Sequence, residues 1–245
     1  MEYKDSSEYK RRAQGMPAYA VMATGAAAAH DGLPVHDVLF DFGNVLTVWD
    51  PRAALISRYD DATIDRFLDN SVSGFADVVV MGDAGATTEE CIDHMRRTHG
   101  DAWAKVYEYY AANFEDTIVA TVPGSRRLVL DLKQAGFGVW GLSNWASGDF
   151  RRAVPQIPTL ALLNDYVVSG FIKERKPFPG IYTTAIERFG IDPATAVFVD
   201  DKPENIIGAN DAGLRGICFG GDMRALRAAL ADAGVPVPRG TDVVN

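Results

Sequence analysis

Four clusters of polar residues could act together in the 245-residue chain. Asp41 follows the apolar, β-prone run Val38-Leu39-Phe40 and precedes Phe42 and Gly43. Ser143-Asn144 closes a second apolar run, and Lys176 lies in Lys173-Glu174-Arg175-Lys176-Pro177. Asp200-Asp201 closes Ala196-Val197-Phe198-Val199 and leads into Lys202-Pro203-Glu204-Asn205. Ligands of open α/β sheets bind just outside the carboxyl ends of the strands, so parallel strands would bring all four clusters to one edge. Carboxylates of Asp41, Asp200 and Asp201 around one point cannot all stay ionised without a cation. Mg²⁺ suits them, since it takes hard oxygen ligands and keeps positions for waters and a phosphate. A phosphoryl group held there would present phosphorus to Asp41, which could form an aspartyl-phosphate. Lys176 would neutralise charge on the nucleophile and the transferring group, and the Ser143 hydroxyl with a backbone N–H would bind the remaining oxygens. Singly, each cluster also reads as a turn, a surface lysine or a helix cap. Their joint occurrence, each behind a predicted strand, favours the shared site.

The positioning elements follow from the hydrophobic pattern. Strands are predicted at 38–40, 138–142, 166–169, 196–200 and 215–219, with helices at 124–135, 179–189, 203–212 and 223–233. Gly136-Phe137, Gly190-Ile191 and Gly213-Leu214 each supply a glycine followed by an apolar residue, as a Schellman-type helix stop requires. Alternating strands and helices with short links imply a doubly wound parallel sheet with right-handed crossovers, a three-layer α/β core. From 49 to 122 the pattern is helical with no period-two alternation. Asp50-Pro51 reads as a helix start, Thr87 or Thr88 with Glu90 as another, and Asp101 caps a further helix. The expected division is a flexible N-terminal extension over 1–34, an α/β core over 35–48 and 123–236, a helical cap over 49–122, and a tail over 237–245.

Composition narrows the partners. A net charge of −9 argues against nucleic-acid or anionic-membrane surfaces, either of which needs a basic patch. With 47% hydrophobic and 23% charged residues, a sizeable core is available. Cys91 and Cys218 show no metal-ligand spacing and read as buried apolar residues in a reducing, cytoplasmic setting. Lys10-Arg11-Arg12 before Met16–Ala29 has the outline of a secretory signal, but that stretch lacks leucine and isoleucine. A loosely ordered extension, or a start at Met16 or Met22, is the preferred reading.

The motifs Asp41-Phe42-Gly43-Asn44-Val45-Leu46, Leu142-Ser143-Asn144, Arg175-Lys176-Pro177 and Phe198-Val199-Asp200-Asp201 with Glu204-Asn205-Ile206 resemble the haloacid dehalogenase-like (HAD) hydrolase superfamily. The likeness runs from about Val35 to the last helix. It implies an Mg²⁺-dependent phosphatase of small phosphate monoesters, such as sugar phosphates or similar metabolites. Asp41 would be its nucleophile, and Asp41, the carbonyl of Gly43, Asp200 and Asp201 would hold the metal. Asn44, Ser143, Asn144 and Lys176 would sit on the substrate, and the helical block would be a cap closing over the site. One position departs from the pattern. Phosphatases of the superfamily usually carry a second aspartate two residues after the nucleophile, as general acid and base; here it is Gly43. Asp50, near the cap hinge, is the candidate replacement. The Gly-Asn pair with the following Trp-Asp-Pro is most similar to the alpha-D-glucose-1-phosphate phosphatase-like subgroup, whose members work with this glycine. A 2-haloacid dehalogenase and a weakly active or non-catalytic member of the superfamily are the alternatives. Asp200-Asp201 speaks against the dehalogenase, because without a metal a carboxylate pair would repel a halocarboxylate.

Overall fold

A computed structural model describes residues 4–237 of the chain. Its strands are β1 (Val21–Met22), β2 (Asp37–Phe40), β3 (Thr47–Trp49), β4 (Ile118–Thr121), β5 (Gly138–Ser143), β6 (Tyr166–Val168), β7 (Ala196–Asp200) and β8 (Arg215–Cys218). Six of them form one sheet in the order β1-β8-β7-β2-β5-β6, parallel except for the β1–β8 pair. β2 is central. Phe40 lies opposite Gly141 on one side and Val199 on the other. From β2 the chain builds β5 and β6 on one flank, then returns to build β7 and β8 on the other. The strand order therefore reverses at the carboxyl end of β2, where such sheets open a ligand crevice.

The helices in chain order are α1 (Ser7–Arg12), α2 (Asp61–Leu68), α3 (Asn70–Ser73), α4 (Phe75–Asp83), α5 (Thr88–His99), α6 (Asp101–Ala112), α7 (Ser125–Gln134), α8 (Ser147–Ala153), α9 (Ser169–Ile172), α10 (Pro179–Phe189), α11 (Pro203–Asp211) and α12 (Met223–Asp232). Alternation along β2 sets the layers. Val38 and Phe40 join a core with Leu128 and Leu132 of α7 and Leu226 and Leu230 of α12. Leu39 faces the opposite side, with Ile181 and Tyr182 of α10 and Ile206 and Ala209 of α11. This is the expected three-layer α/β architecture. The glycine stops also form: Phe137, Ile191 and Leu214 donate their N–H groups to Leu132, Ile186 and Ala209, each across a glycine with positive φ.

Helices α2 to α6 make the cap, entered and left through β3 and β4, an antiparallel pair with an irregularity between Val48 and Trp49. That ribbon was not visible in the helical pattern. Nor does a helix begin at Asp50-Pro51. Asp50 accepts a hydrogen bond from the Arg52 N–H at 2.9 Å and turns the chain instead. The first cap helix starts at Asp61, where Asp60 accepts from the Thr63 N–H at 2.8 Å. Thr87 and Glu90 form the reciprocal capping box at the start of α5.

Over the described residues 4–34 the N-terminal segment departs from the flexible extension expected for 1–34. Arg12 grips both carboxylate oxygens of Asp211 at 2.6 Å, β1 adds an antiparallel edge to β8, and Asn210 ties down Thr24 and Met22. These contacts with distant residues order a stretch whose own composition offers no periodicity. Of the expected tail, 238–245 lie outside the described residues. Among the described residues, no helix is long and apolar enough to cross a membrane.

One helix contact bears directly on site geometry. α11 packs so closely on the loop after Lys176 that a Cβ at Gly208 would collide with the Pro177 carbonyl oxygen. Gly208→Ala gains about 0.5–1 kcal/mol of helix propensity. The overpacking costs about 1–3 kcal/mol and wins. Denaturant unfolding should show a net loss, and a variant more stable than wild type would refute this contact.

Candidate active site

The site grows from the end of β2. Asp41 extends the ladder by one bond, donating its N–H to the Val199 carbonyl at 2.9 Å, and its side chain is buried. Phe42 behind it lies against Gly141, where a Cβ would strike the ring, and stacks on Phe150 with centroids 5.9 Å apart. Asp41 is thereby aimed at the crevice by aromatic packing on the other side of the chain. Around Gly43 the space is open: a Cβ there would meet nothing within 4 Å. Asn44 adopts φ 57°, a left-handed conformation that asparagine tolerates better than most residues. Its side-chain oxygen accepts from the Trp49 N–H at 3.2 Å, and its amide nitrogen lies 3.5 Å from Asp201 Oδ2.

Lys176 joins the strand ends. Its Nζ lies 2.6 Å from Asp200 Oδ2, 2.9 Å from Asp41 Oδ1 and 2.9 Å from the Leu142 carbonyl oxygen. Burial alone would lower its pKa, but the fields of Asp200 and Asp41 outweigh that and raise it, so the ammonium stays charged. Asn144 fixes this lysine from the backbone: its amide nitrogen donates to the Lys176 carbonyl at 3.0 Å, and its oxygen accepts from the Lys176 N–H at 2.8 Å. This clamp engages both ends of the Asn144 amide, and the residue also lies on the cavity wall. Ser143 closes β5, buried, on the cavity wall.

Asp200 is fully buried and accepts from Lys176, from the Asn205 amide at 2.9 and 3.0 Å, and from the Lys202 N–H at 2.8 Å. One carboxylate oxygen each from Asp41, Asp200 and Asp201 lies within 4.8 Å of the others. Desolvation, with Asp41 adding to it, raises the pKa of Asp200 despite Lys176. Asp201 is pushed up to about 7 by desolvation and then by Asp200 and Asp41. Asp41 Oδ1 is buried without a hydrogen bond of good geometry, although Lys176 is near. Three carboxylates are thus crowded around Lys176, with Lys202 also facing Asp201, and Asp41 Oδ1 is left without a well-formed hydrogen bond. A divalent cation with a preference for hard oxygens fits that donor set.

The cavity above these groups measures about 120 Å³. Its floor includes Asp41, Gly43, Asn44, Ser143, Lys176 and Asp201, and its cap side includes Trp49, Val78, Asp83, Tyr107, Tyr110 and Phe114. Asp50 is not on its wall; its carboxylate is taken by the turn at Arg52. Sequence reasoning missed the wall residues Asp83, Asp149 and the cap aromatics. Tyr107, Tyr110 and Phe114 have a helical spacing that packing explains equally well. Asp83 did carry a signal, being an acidic residue at the carboxyl end of an apolar helix, where the helix dipole disfavours it.

A family model described as haloacid dehalogenase-like hydrolase matches residues 38–213. The chain belongs to this family. A drimenol cyclase of Aspergillus calidoustus, drtB, is 25% identical over 86% of this chain, and the match spans only 39% of that protein's length. A sesquiterpene phosphatase of Aspergillus oryzae, astK, is 26% identical over 73% of this chain and 87% of its own. A HAD family enzyme of Bacteroides thetaiotaomicron, crystallised with magnesium and inorganic phosphate, superposes with a TM-score of 0.58 at 20% identity, covering 77% of this chain and 97% of that one. That likeness is one of fold.

Removing the ammonium strands two buried carboxylates. Lys176→Met should therefore lose about 3–5 kcal/mol of stability, the usual consequence of breaking a buried pair from one side. Urea unfolding without divalent cations reads it, and a loss under about 1 kcal/mol would show that Lys176 does not hold the strand ends together.

Proposed function

We propose that this chain is a Mg²⁺-dependent phosphatase of a small phosphate monoester, a sugar phosphate or similar metabolite, acting through an aspartyl-phosphate on Asp41. The observation that carries this reading is the Lys176 ammonium shared by Asp41 and Asp200 at the floor of the cavity. Asp41, Asp200, Asp201 and the Gly43 carbonyl would hold Mg²⁺, whose charge would offset that of the phosphate oxygens. Asp41 attacks phosphorus and the P–O bond to the alcohol breaks. Lys176 lowers the repulsion between that carboxylate and an anionic ester. The Ser143 hydroxyl donates to a phosphate oxygen, and Asn44 keeps the turn after Asp41 in shape while facing Asp201. Water then attacks the phosphorus of the aspartyl-phosphate, freeing Asp41 and inorganic phosphate. The cap covers the cavity while the phosphoryl group is in transit.

A second substrate class has its own support. Trp49, Tyr107, Tyr110, Phe114 and Trp145 line the cavity, a wall suited to an apolar alcohol. The named activity of the Aspergillus oryzae relative points the same way.

A panel of sugar phosphates, prenyl phosphates and aryl phosphates, assayed with Mg²⁺ and with a chelator, tests both. Release of phosphate should require the metal and fall to background in Asp41→Asn. The preferred ester chooses between a sugar and an apolar alcohol. Metal-independent halide release from a 2-haloacid, with no phosphate released from any ester, would overturn the proposal.

A further inference from the structure

The alcohol of an alkyl phosphate is a poor leaving group as its alkoxide at neutral pH, so phosphoryl transfer to Asp41 calls for an acid at the ester oxygen. The cavity wall restricts the choice, and its lysines, Lys176 and Lys202, are desolvated but held protonated by the carboxylates around them, so neither gives up a proton readily. Asp41 is taken as the nucleophile, and Asp201 lies in the carboxylate trio. Tyr110 is pushed above its ordinary phenol range by burial, and Tyr107 well above it, so neither exchanges protons readily near neutrality. Asp149 is pinned by Arg152, whose guanidinium donates to its Oδ1 at 3.0 Å. Asp83 differs from all of these. It is the last residue of α4, half-buried, on the cap side of the same cavity, and accepts no hydrogen bond from any side chain among the described residues. Its carboxyl sits at a helix carboxyl end, where the backbone dipole opposes a negative charge. Asp83 also offsets the charge of Lys202, whose ammonium it helps to keep protonated. α4 is brought down onto the core at this point because Gly82 lets it approach Ala146: a Cβ at Gly82 would come to 3.0 Å of the Ala146 methyl.

Resting on the phosphatase reading, we infer that Asp83 is the general acid and base of the reaction, supplied by the cap across the cavity from Asp41. In the first half-reaction the Asp41 carboxylate forms a bond to phosphorus, the P–O bond to the alcohol breaks, and the departing oxygen takes the proton of the Asp83 carboxyl. In the second, the Asp83 carboxylate accepts a proton from water as the water oxygen bonds to phosphorus. The P–O bond to Asp41 breaks, inorganic phosphate leaves, and both carboxyl groups return to their starting forms. The groups facing Asp83 are Lys202, Arg175, Lys176 and Asp41. Desolvation outweighs the three cations and, with Asp41, pushes its pKa up to about 6, so both protonation states are within reach near neutrality. The open space at Gly43, on the floor of this cavity, leaves room between cap and core for the ester oxygen.

The test compares an alkyl phosphate, whose alcohol needs the proton, with 4-nitrophenyl phosphate, whose phenolate does not, using kcat/KM in Mg²⁺. For Asp83→Asn we expect a loss of about 10²–10⁴ with the alkyl ester. With the nitrophenyl ester the loss should be less than about tenfold, since its leaving group forgoes general acid catalysis. The alkaline limb of the alkyl-ester pH profile, where Asp83 loses its proton, should vanish in the variant. Asp83→Ala, followed by thermal unfolding, guards against a folding defect and should show the same ester discrimination. Equal losses with both esters, or a selective loss in Asp149→Asn instead, would overturn the assignment of Asp83 while leaving the phosphatase reading intact. A wild-type protein that turns over neither these esters nor the wider panel overturns that reading and this inference together.

Discussion

A buried ammonium between two buried carboxylates is the constraint on which the rest of this molecule depends. Lys176 has almost no contact with solvent, and its charge is held in place by Asp41, Asp200 and the Leu142 carbonyl. Without these partners the desolvation cost would favour neutral lysine, and without lysine the carboxylates would repel one another. The contact also ties three strands to one point. Asp41 directly follows β2, Leu142 lies in β5 and Asp200 ends β7, so the central strand and both its neighbours share one cation.

The surrounding architecture serves to bring that lysine in from a loop. Asn144 clamps its backbone with two hydrogen bonds, and α11 approaches the following Pro177 closely enough to require glycine at 208. Asn205, on the same helix, reaches both oxygens of Asp200. A helix that packs the sheet thus also orients the carboxylate and walls in the loop. The three carboxylates keep oxygens close enough together to share a divalent cation, whose charge a bound anionic ester would also meet.

The core was legible because its local signals agree. Each central strand is an uninterrupted apolar run closed by a polar residue, and glycine-apolar pairs mark where helices stop. Asp41, Ser143, Lys176 and Asp200-Asp201 could be picked out because parallel strands leave few places for their ends to go. What escaped was set by tertiary contact. Nothing local in Met16–Ala29 announces that Asn210 and the edge of β8 will order that region. Asp50 stood near the cap entry in sequence, yet a two-residue turn turned its carboxylate to Arg52. Asp83 looked like part of a glycine-rich break, because helical periodicity does not say what a helix end faces.

The β3–β4 ribbon has a mechanical consequence. Trp49 closes β3 and hydrogen-bonds the Asn44 side chain, whose other end faces Asp201. The ribbon is bonded to the same loop through its backbone as well, since the Asn44 N–H donates to the Thr47 carbonyl and the Thr47 N–H to the Phe42 carbonyl. One side-chain amide therefore touches both the entry to the cap and the acidic trio, so the turn that follows Asp41 is shaped from both sides at once.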